Sequence, residues 1–169
     1  RAGLRVGTYL PDGTVRVWLG QPKRGASVEV SADGQAWPAA SVDVGNPHAV
    51  SIVTDADLAA LDLAKKPDAH PATAFPQGAN FEFVTHDGDE ITMRVYERGV
   101  GETFSCGTGT VAATCAVASE QGRRNGTWRV RVPGGVVSVE LDGPDAYLTG
   151  PAELVYTGTI DVPDAKDLA

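Results

Sequence analysis

Alternation of apolar and polar residues, broken by frequent turn signals, runs through most of the chain. Val15, Val17 and Leu19 alternate with polar or aromatic neighbours. With residues 4–10 ahead of them and Pro11-Asp12-Gly13 between, they predict a hairpin. Residues 42–44 and 49–53 read as strands flanking a Gly45-Asn46-Pro47-His48 turn. Asp55 is placed to cap a short helix carrying Leu58, Leu61 and Leu63. Residues 65–77 hold Pro67, Pro71 and Pro76 and predict a loop. Residues 81–84 and 91–97 face each other across Asp87-Gly88, a second hairpin signal. Residues 128–132 and 136–141 form a third around Pro133-Gly134-Gly135. Short strands are expected at 147–149 and 155–157, and fraying from Asp161.

Residues 107–121 break this pattern. They contain no proline, are rich in Ala, Val and Thr, and are apolar nearly all round. A helix of that kind is buried on most sides. Gly122 suits its C-cap, and Arg123 and Arg124 suit its negative end. The expected architecture is an α+β domain in which antiparallel strands curl around this central hydrophobic helix, with one peripheral helix besides.

The chain has 169 residues, 42% of them hydrophobic, and a formal net charge of −8. That length fits one domain with a core of its own. The negative charge argues against a nucleic-acid partner, whose phosphates need clustered Lys and Arg. No apolar run approaches a membrane span and no signal peptide is visible. The two cysteines, Cys106 and Cys115, have neither disulfide-framework nor zinc-site spacing, and so low a count suits a reducing cytoplasm. The chain opens Arg1-Ala2-Gly3 without Met, which reads as a start inside a longer protein.

The candidate chemistry centres on the run from Tyr96 through Glu97, Arg98 and a glycine-bearing loop to Ser105-Cys106-Gly107-Thr108-Gly109. Cys106 stands where the buried helix begins. N–H groups in a helix's first turn have no intrahelical partner, and the helix dipole adds partial positive charge. Such a site attracts a carboxylate and is expected to lower a thiol's pKa. Gly107 and Gly109 are expected to let a ligand approach the backbone. A lone cysteine is ordinarily a small buried hydrophobe, and Cys115, mid-helix among alanines, fits that description. Taken alone, the segment 45–48 is an ordinary Asn-Pro turn, and Asn80 a turn residue leading into a strand. His70 and His86 are taken as solvated. Only four lysines occur, at 23, 65, 66 and 166, none in these segments, which disfavours a Schiff-base site.

Four segments in this order, GNPHAV at 45–50, FPQGANFEFV at 75–84, RVYERGVGETFSCGTGTVAA at 94–113 and LTGPAELVYTG at 148–158, resemble the C-terminal domain of the diaminopimelate epimerase family. The resemblance implies a cytoplasmic isomerase of lysine and cell-wall biosynthesis that interconverts LL- and meso-diaminopimelate without pyridoxal phosphate, other cofactor or metal. It implies two similar domains, each donating one catalytic cysteine, and a homodimeric full-length enzyme. This chain, residues 1–169, would then be a single C-terminal domain holding half an active site and inactive alone, its N-terminal partner domain absent. Carried over by motif, Cys106 is a catalytic acid/base. Gly107 and Thr108 hold the reacting carboxylate through backbone N–H groups. Asn46, Asn80 and Arg98 grip the distal end. Glu97 binds an amino group or polarises the site, and His48 lies near the thiol.

The residue chemistry is compatible with that picture. Stereoinversion at Cα needs a base on one face and an acid on the other. Arg98 offers a carboxylate a bidentate fork, and Glu97 complements an ammonium. Cys115 is an unsuitable second base, since nine helical residues place it roughly 13 Å along the axis from Cys106. The alternatives are a proline or hydroxyproline racemase-type enzyme, a cysteine hydrolase pairing Cys106 with His48, and a non-catalytic binding domain.

Overall fold

The computed structural model describes residues 5–161. The strands are β1 (Val6–Tyr9), β2 (Thr14–Gly20), β3 (Lys23–Ala32), β4 (Gln35–Asp43), β5 (Pro47–Ile52), β6 (Asp68–His70), β7 (Asn80–Asp87), β8 (Glu90–Glu97), β9 (Gly101–Thr103), β10 (Gly126–Val132), β11 (Gly135–Asp142) and β12 (Asp145–Pro151). The α-helices are α1 (Asp55–Ala60) and α2 (Gly107–Glu120). All the strands belong to one 12-stranded sheet in the order β1-β2-β12-β11-β10-β8-β7-β5-β4-β3-β6, with β9 on the end of β8.

The expectation of antiparallel strands needs correcting at two joins. β5 pairs parallel with β7, and β10 parallel with β8. Parallel neighbours need a long crossover. The chain supplies one through α1 and residues 61–79, and another through α2. The sheet is therefore mixed.

The hairpins at Asp87-Gly88 and around Pro133-Gly134 form where their turn residues predict. The longest hairpin, β3–β4, is expected only at residues 42–43 of β4, although its turn signal is present. Asp33 and Gly34 both take positive φ (50° and 79°), the conformation that an Asp-Gly hairpin turn uses. The expected loop at 65–77 contains β6, which pairs with β3. Residues 155–157 form no strand; their side chains are exposed and make no ladder. Of the expected hairpin strand 4–10, residue 4 lies outside the described residues. So does all but Asp161 of the segment expected to fray.

Thr54, not Asp55, caps α1: its hydroxyl accepts from the Asp57 N–H at 3.1 Å. Asp55 already has helical backbone, so its carboxylate serves the first-turn dipole instead. Leu58 and Leu61 are buried by the helix and its C-cap, and Leu63 just beyond it. Arg94 of β8 donates to the Leu58 and Leu61 carbonyls at 2.9 and 2.7 Å, satisfying acceptors that the helix end leaves over.

α2 is buried along nearly its whole length. It touches β4, β5, β7, β8, β10, β11 and β12. Val111, Ala112, Ala113 and Val117 pack there with Val50, Val84, Met93, Trp128 and Val139. Gly122 follows the helix with φ 68°, and the Arg123 N–H closes onto the Ala118 carbonyl at 2.7 Å. A second apolar cluster gathers Val28, Val30, Leu58, Leu61, Leu63, Phe81 and Phe83 on the β3 side.

Candidate active site

Cys106 is the N-cap of α2, in extended backbone (φ −131°, ψ 110°). Its sulfur accepts from the Gly109 N–H at 3.4 Å and lies 3.5 Å from the Thr108 hydroxyl. Thr110 reinforces the turn by donating its hydroxyl to the Cys106 carbonyl at 2.8 Å. Gly107 and Thr108, half-buried, occupy the first turn, where their N–H groups have no intrahelical acceptor.

The thiol is 8% exposed. The sequence predicts a lowered pKa, but the structure gives the opposite direction. Burial pushes the Cys106 thiol up, bonds from Thr108 and Gly109 pull it down, and the neighbouring Glu82 and Glu97, where ionised, push it up again. The N-terminus of α2 is outweighed because the sulfur is desolvated beside acidic groups.

Register explains the next layer. In the parallel pair β5–β7, His48 faces Asn80 and Val50 faces Glu82. Residues two apart on a strand share a face, so His48, Asn80 and Glu82 gather on one side. His48 and Glu82 are wholly inaccessible, with His48 Nδ1 2.7 Å from Glu82 Oε1. His48 Nε2 lies 3.1 Å from Asn46 Oδ1. The resemblance puts His48 near the thiol. Its bonds go to Glu82, Asn46 and Asn80, and Glu82 reaches the sulfur's surroundings.

Glu82 is the site residue that sequence reasoning passes over. Its signal was a single carboxylate between Phe81 and Phe83 in a strand buried on both faces. Burial pushes its carboxyl above the ordinary range; attraction to His48 opposes this and repulsion from Glu97 adds to it. A folded pKa raised above the unfolded one contributes stability that is complete below the unfolded value. It is lost as pH rises through the folded value. Urea midpoints should therefore fall less between mildly acid and mildly alkaline buffer for Glu82→Gln than for the parent; equal slopes would contradict the assignment.

The second glycine of Gly107-Thr108-Gly109 has a role other than ligand approach. A Cβ on Gly109 would sit 2.6 Å from Glu82 Oε1 and 3.3 Å from Cys106 Sγ. The missing side chain is what lets the buried carboxyl and the thiol meet over one backbone atom. At Gly107 a Cβ would meet Leu148 Cδ2 at 3.2 Å. Gly109→Ala is expected to cost about 1–3 kcal/mol, the usual penalty of overpacking, measured by urea unfolding.

Glu97 ends β8, its carboxylate accepting from the Thr103 hydroxyl at 2.6 Å. Arg98 is exposed; its backbone N–H donates to Asn80 Oδ1 at 2.9 Å, and Nη1 to the Gln77 carbonyl at 2.9 Å. Gly78, at φ 78°, bends the loop beneath the Arg98 chain, where a Cβ would press on Cδ at 3.1 Å. Asn46 is half-buried and Asn80 buried. Every candidate residue thus lies in one connected group around the start of α2, the β5–β7 register and the end of β8.

Cys115 lies elsewhere. It lines a cavity of about 530 Å³ at the other end of α2, with Arg24, Ser119 and Arg124. Burial pushes its thiol up to about 12, with Arg24 opposing. His70, exposed, lies 3.3 Å from Ser31 Oγ. His86 is half-buried against Glu120 at 2.5 Å rather than solvated. Among the described residues no cluster of three His, Cys, Asp or Glu is disposed to hold a metal. No helix there is long and apolar enough to cross a membrane.

A sequence profile of diaminopimelate epimerase matches residues 40–155, which hold every residue of this site. The chain belongs to the diaminopimelate epimerase family. It is 47% identical to the diaminopimelate epimerase of Mycolicibacterium gilvum over 150 residues, 86% of this chain and 52% of that protein. It is 46% identical to that of Rhodococcus erythropolis over 169 residues, 95% of this chain and 57% of that one. The chain thus spans about half the length of the curated epimerases it matches. A solved structure of a predicted epimerase from Pseudomonas aeruginosa shares the fold, with TM-score 0.59 and 14% identity over 85% of this chain and 59% of that one.

Proposed function

We propose that the protein to which this epimerase-family chain belongs interconverts LL- and meso-diaminopimelate by a two-base mechanism without cofactor, and that this chain supplies half the active site. The observation that carries the reading is Cys106 at the N-cap of α2, beside the open N–H groups of Gly107 and Thr108. A substrate carboxylate held on those N–H groups brings its Cα against the sulfur. The same dipoles stabilise charge that develops on the carboxylate as the Cα proton leaves. The raised thiol suits Cys106 to delivering a proton, after a second cysteine has removed one from the opposite face. Water exclusion by a closed cleft would strengthen each interaction.

A second domain, contributing that cysteine and the other wall, completes the proposal. The exposed apolar side chains of Leu154, Val155, Tyr156 and Ile160 support a covering surface. The sheet is read as curled about α2, which meets strands from both halves of it. A homodimer and a cytoplasmic setting belong to the same reading. Asn46, Asn80 and Arg98 would grip the distal end of the substrate, with Glu97 at an ammonium and His48 supporting the site from behind Asn46.

The rival is a racemase of proline type, whose cyclic substrate has no second ionic end and no use for Arg98. Full-length protein should invert LL-diaminopimelate and leave L-proline unchanged; inversion of proline alone would reverse the assignment. Arg98→Lys should lower kcat/KM about ten- to a hundredfold, as loss of a charge-assisted bond of roughly 1.5–3 kcal/mol requires. Lysine keeps the charge but lacks the planar fork. Unchanged kinetics would remove Arg98 from substrate binding.

A further inference from the structure

Donor and acceptor roles constrain one another in the buried polar group behind the thiol. Asn80 Oδ1 accepts the Arg98 backbone N–H at 2.9 Å, which fixes the orientation of that amide. Its Nδ2, a donor only, therefore faces His48 Nδ1 at 3.5 Å. On the far side of the ring, Asn46 Oδ1, an acceptor only, faces Nε2 at 3.1 Å. A ring that receives a donor at Nδ1 and an acceptor at Nε2 is a neutral imidazole with its proton on Nε2. Glu82 Oε1, 2.7 Å from that same Nδ1, is then the close donor to its single lone pair, with the Asn80 amide at 3.5 Å a weak second. Its other oxygen, Oε2, is buried with no hydrogen-bond partner, which is far cheaper for a carboxylic acid than for a carboxylate.

We propose that Glu82 is a positioning residue of this active site, a carboxylic acid whose proton goes to His48 Nδ1 and so fixes the ring as the neutral tautomer that presents Nε2–H to Asn46. Burial, which pushes this carboxyl upward, works in the same direction. The titratable groups around it are His48 on β5, Glu97 at the end of β8 and Cys106 at the start of α2. Neither Glu97 nor Cys106 offers a positive charge that would favour the ionised form. Asn46 is the half-buried end of this relay, so the acid acts on the open face through the ring and not by touching it.

The role in turnover rests on the epimerase reading; the tautomer does not, and the two are tested apart. In this chain labelled with ¹⁵N-histidine, His48 should show a protonated Nε2 and an unprotonated Nδ1 around neutral pH. Glu82→Gln keeps a close donor for Nδ1, so the tautomer should survive; Glu82→Leu leaves Nδ1 only the 3.5 Å approach of Asn80 Nδ2, and the single Nε2–H form should give way to a mixture of tautomers. A protonated Nδ1 in the parent chain would overturn the proposal, as would a tautomer that Leu leaves intact.

In the full-length enzyme, Glu82→Leu should lower kcat about a hundredfold, the scale of a small misplacement in a catalytic site, with a smaller change in KM. Glu82→Gln should lose less than Leu. A Gln variant as impaired as Leu, with Cys106→Ala inactive, would overturn the acid's role while leaving the function standing. A Cys106→Ala variant of full activity would overturn the function while leaving the histidine spectra to decide the tautomer.

Discussion

Incubated with LL-diaminopimelate in D₂O, the 169-residue chain should produce no meso isomer above a mock preparation. Two separable deficits give that result. The described site holds one thiol, because Cys115 sits in a different cavity and is pushed up to about 12. A carbanion made by Cys106 is thus reprotonated from the face it lost its proton on, or by water. The second deficit is the open face: Arg98 and Phe104 are exposed, so water remains where a closed cleft would exclude it. Water competes with the Gly107 and Thr108 N–H groups and weakens the dipoles that would stabilise the carbanion. Following α-deuterium by mass spectrometry alongside the isomer by chiral chromatography separates the deficits. Uptake without inversion leaves the thiol competent and the second base missing. Meso product at a rate near the full-length enzyme's, from host-epimerase-free material, would end the half-site proposal.

Cys106→Ala in the full-length protein should have the largest effect of any single substitution, lowering kcat about 10²–10⁴-fold, the range that positioned acid–base groups contribute. The thiol is small, and alanine preserves the N-cap backbone, so the Tm should move little in comparison. Serine tests the acidity specifically. It keeps the bond from the Gly109 N–H and the neighbourhood of Thr108, yet a hydroxyl is a far weaker acid than even an upward-shifted thiol. Cys106→Ser should therefore stay close to Ala in kcat. Activity in Ser comparable to the parent would mean that Cys106 serves as a cap and not as a proton carrier.

How much of this was legible in the chain depends on the range of each signal. Asp87-Gly88, the proline-free run after Cys106 and Gly122 are local signals; the hairpin and α2 formed where they stand, and the helix ends at Gln121, its C-cap, with Gly122 turning the chain just beyond. The Asp33-Gly34 turn is equally local, and Val28 and Val30 alternate before it, so that hairpin is legible in the sequence as well. The parallel joins were not legible, because each depends on which distant strand accepts the crossover. Glu82 illustrates the same limit for the site. Its identity is in the sequence, but its meaning comes from a β5–β7 register that pairs residues 32 apart, as His48 with Asn80. Residues 155–157 show the converse: a sequence of strand type stays extended without a ladder, since propensity supplies no partner edge.

The join between β2 and β12 carries a consequence for how the protein is made. Trp18 pairs with Tyr147 and Val17 with Leu148, so strands from opposite ends of the chain are neighbours in the middle of one sheet half. On the ribosome the β1–β2 hairpin emerges well ahead of β12 and has no second edge to join until that strand has followed. Contacts so far apart in sequence slow folding, and an unpaired edge is exposed for as long as it waits. Synthesis halted before Asp145 strands that hairpin for good. Nascent chains stalled before and after β12 should then differ abruptly in protease resistance, the sheet closing only when β12 leaves the exit tunnel.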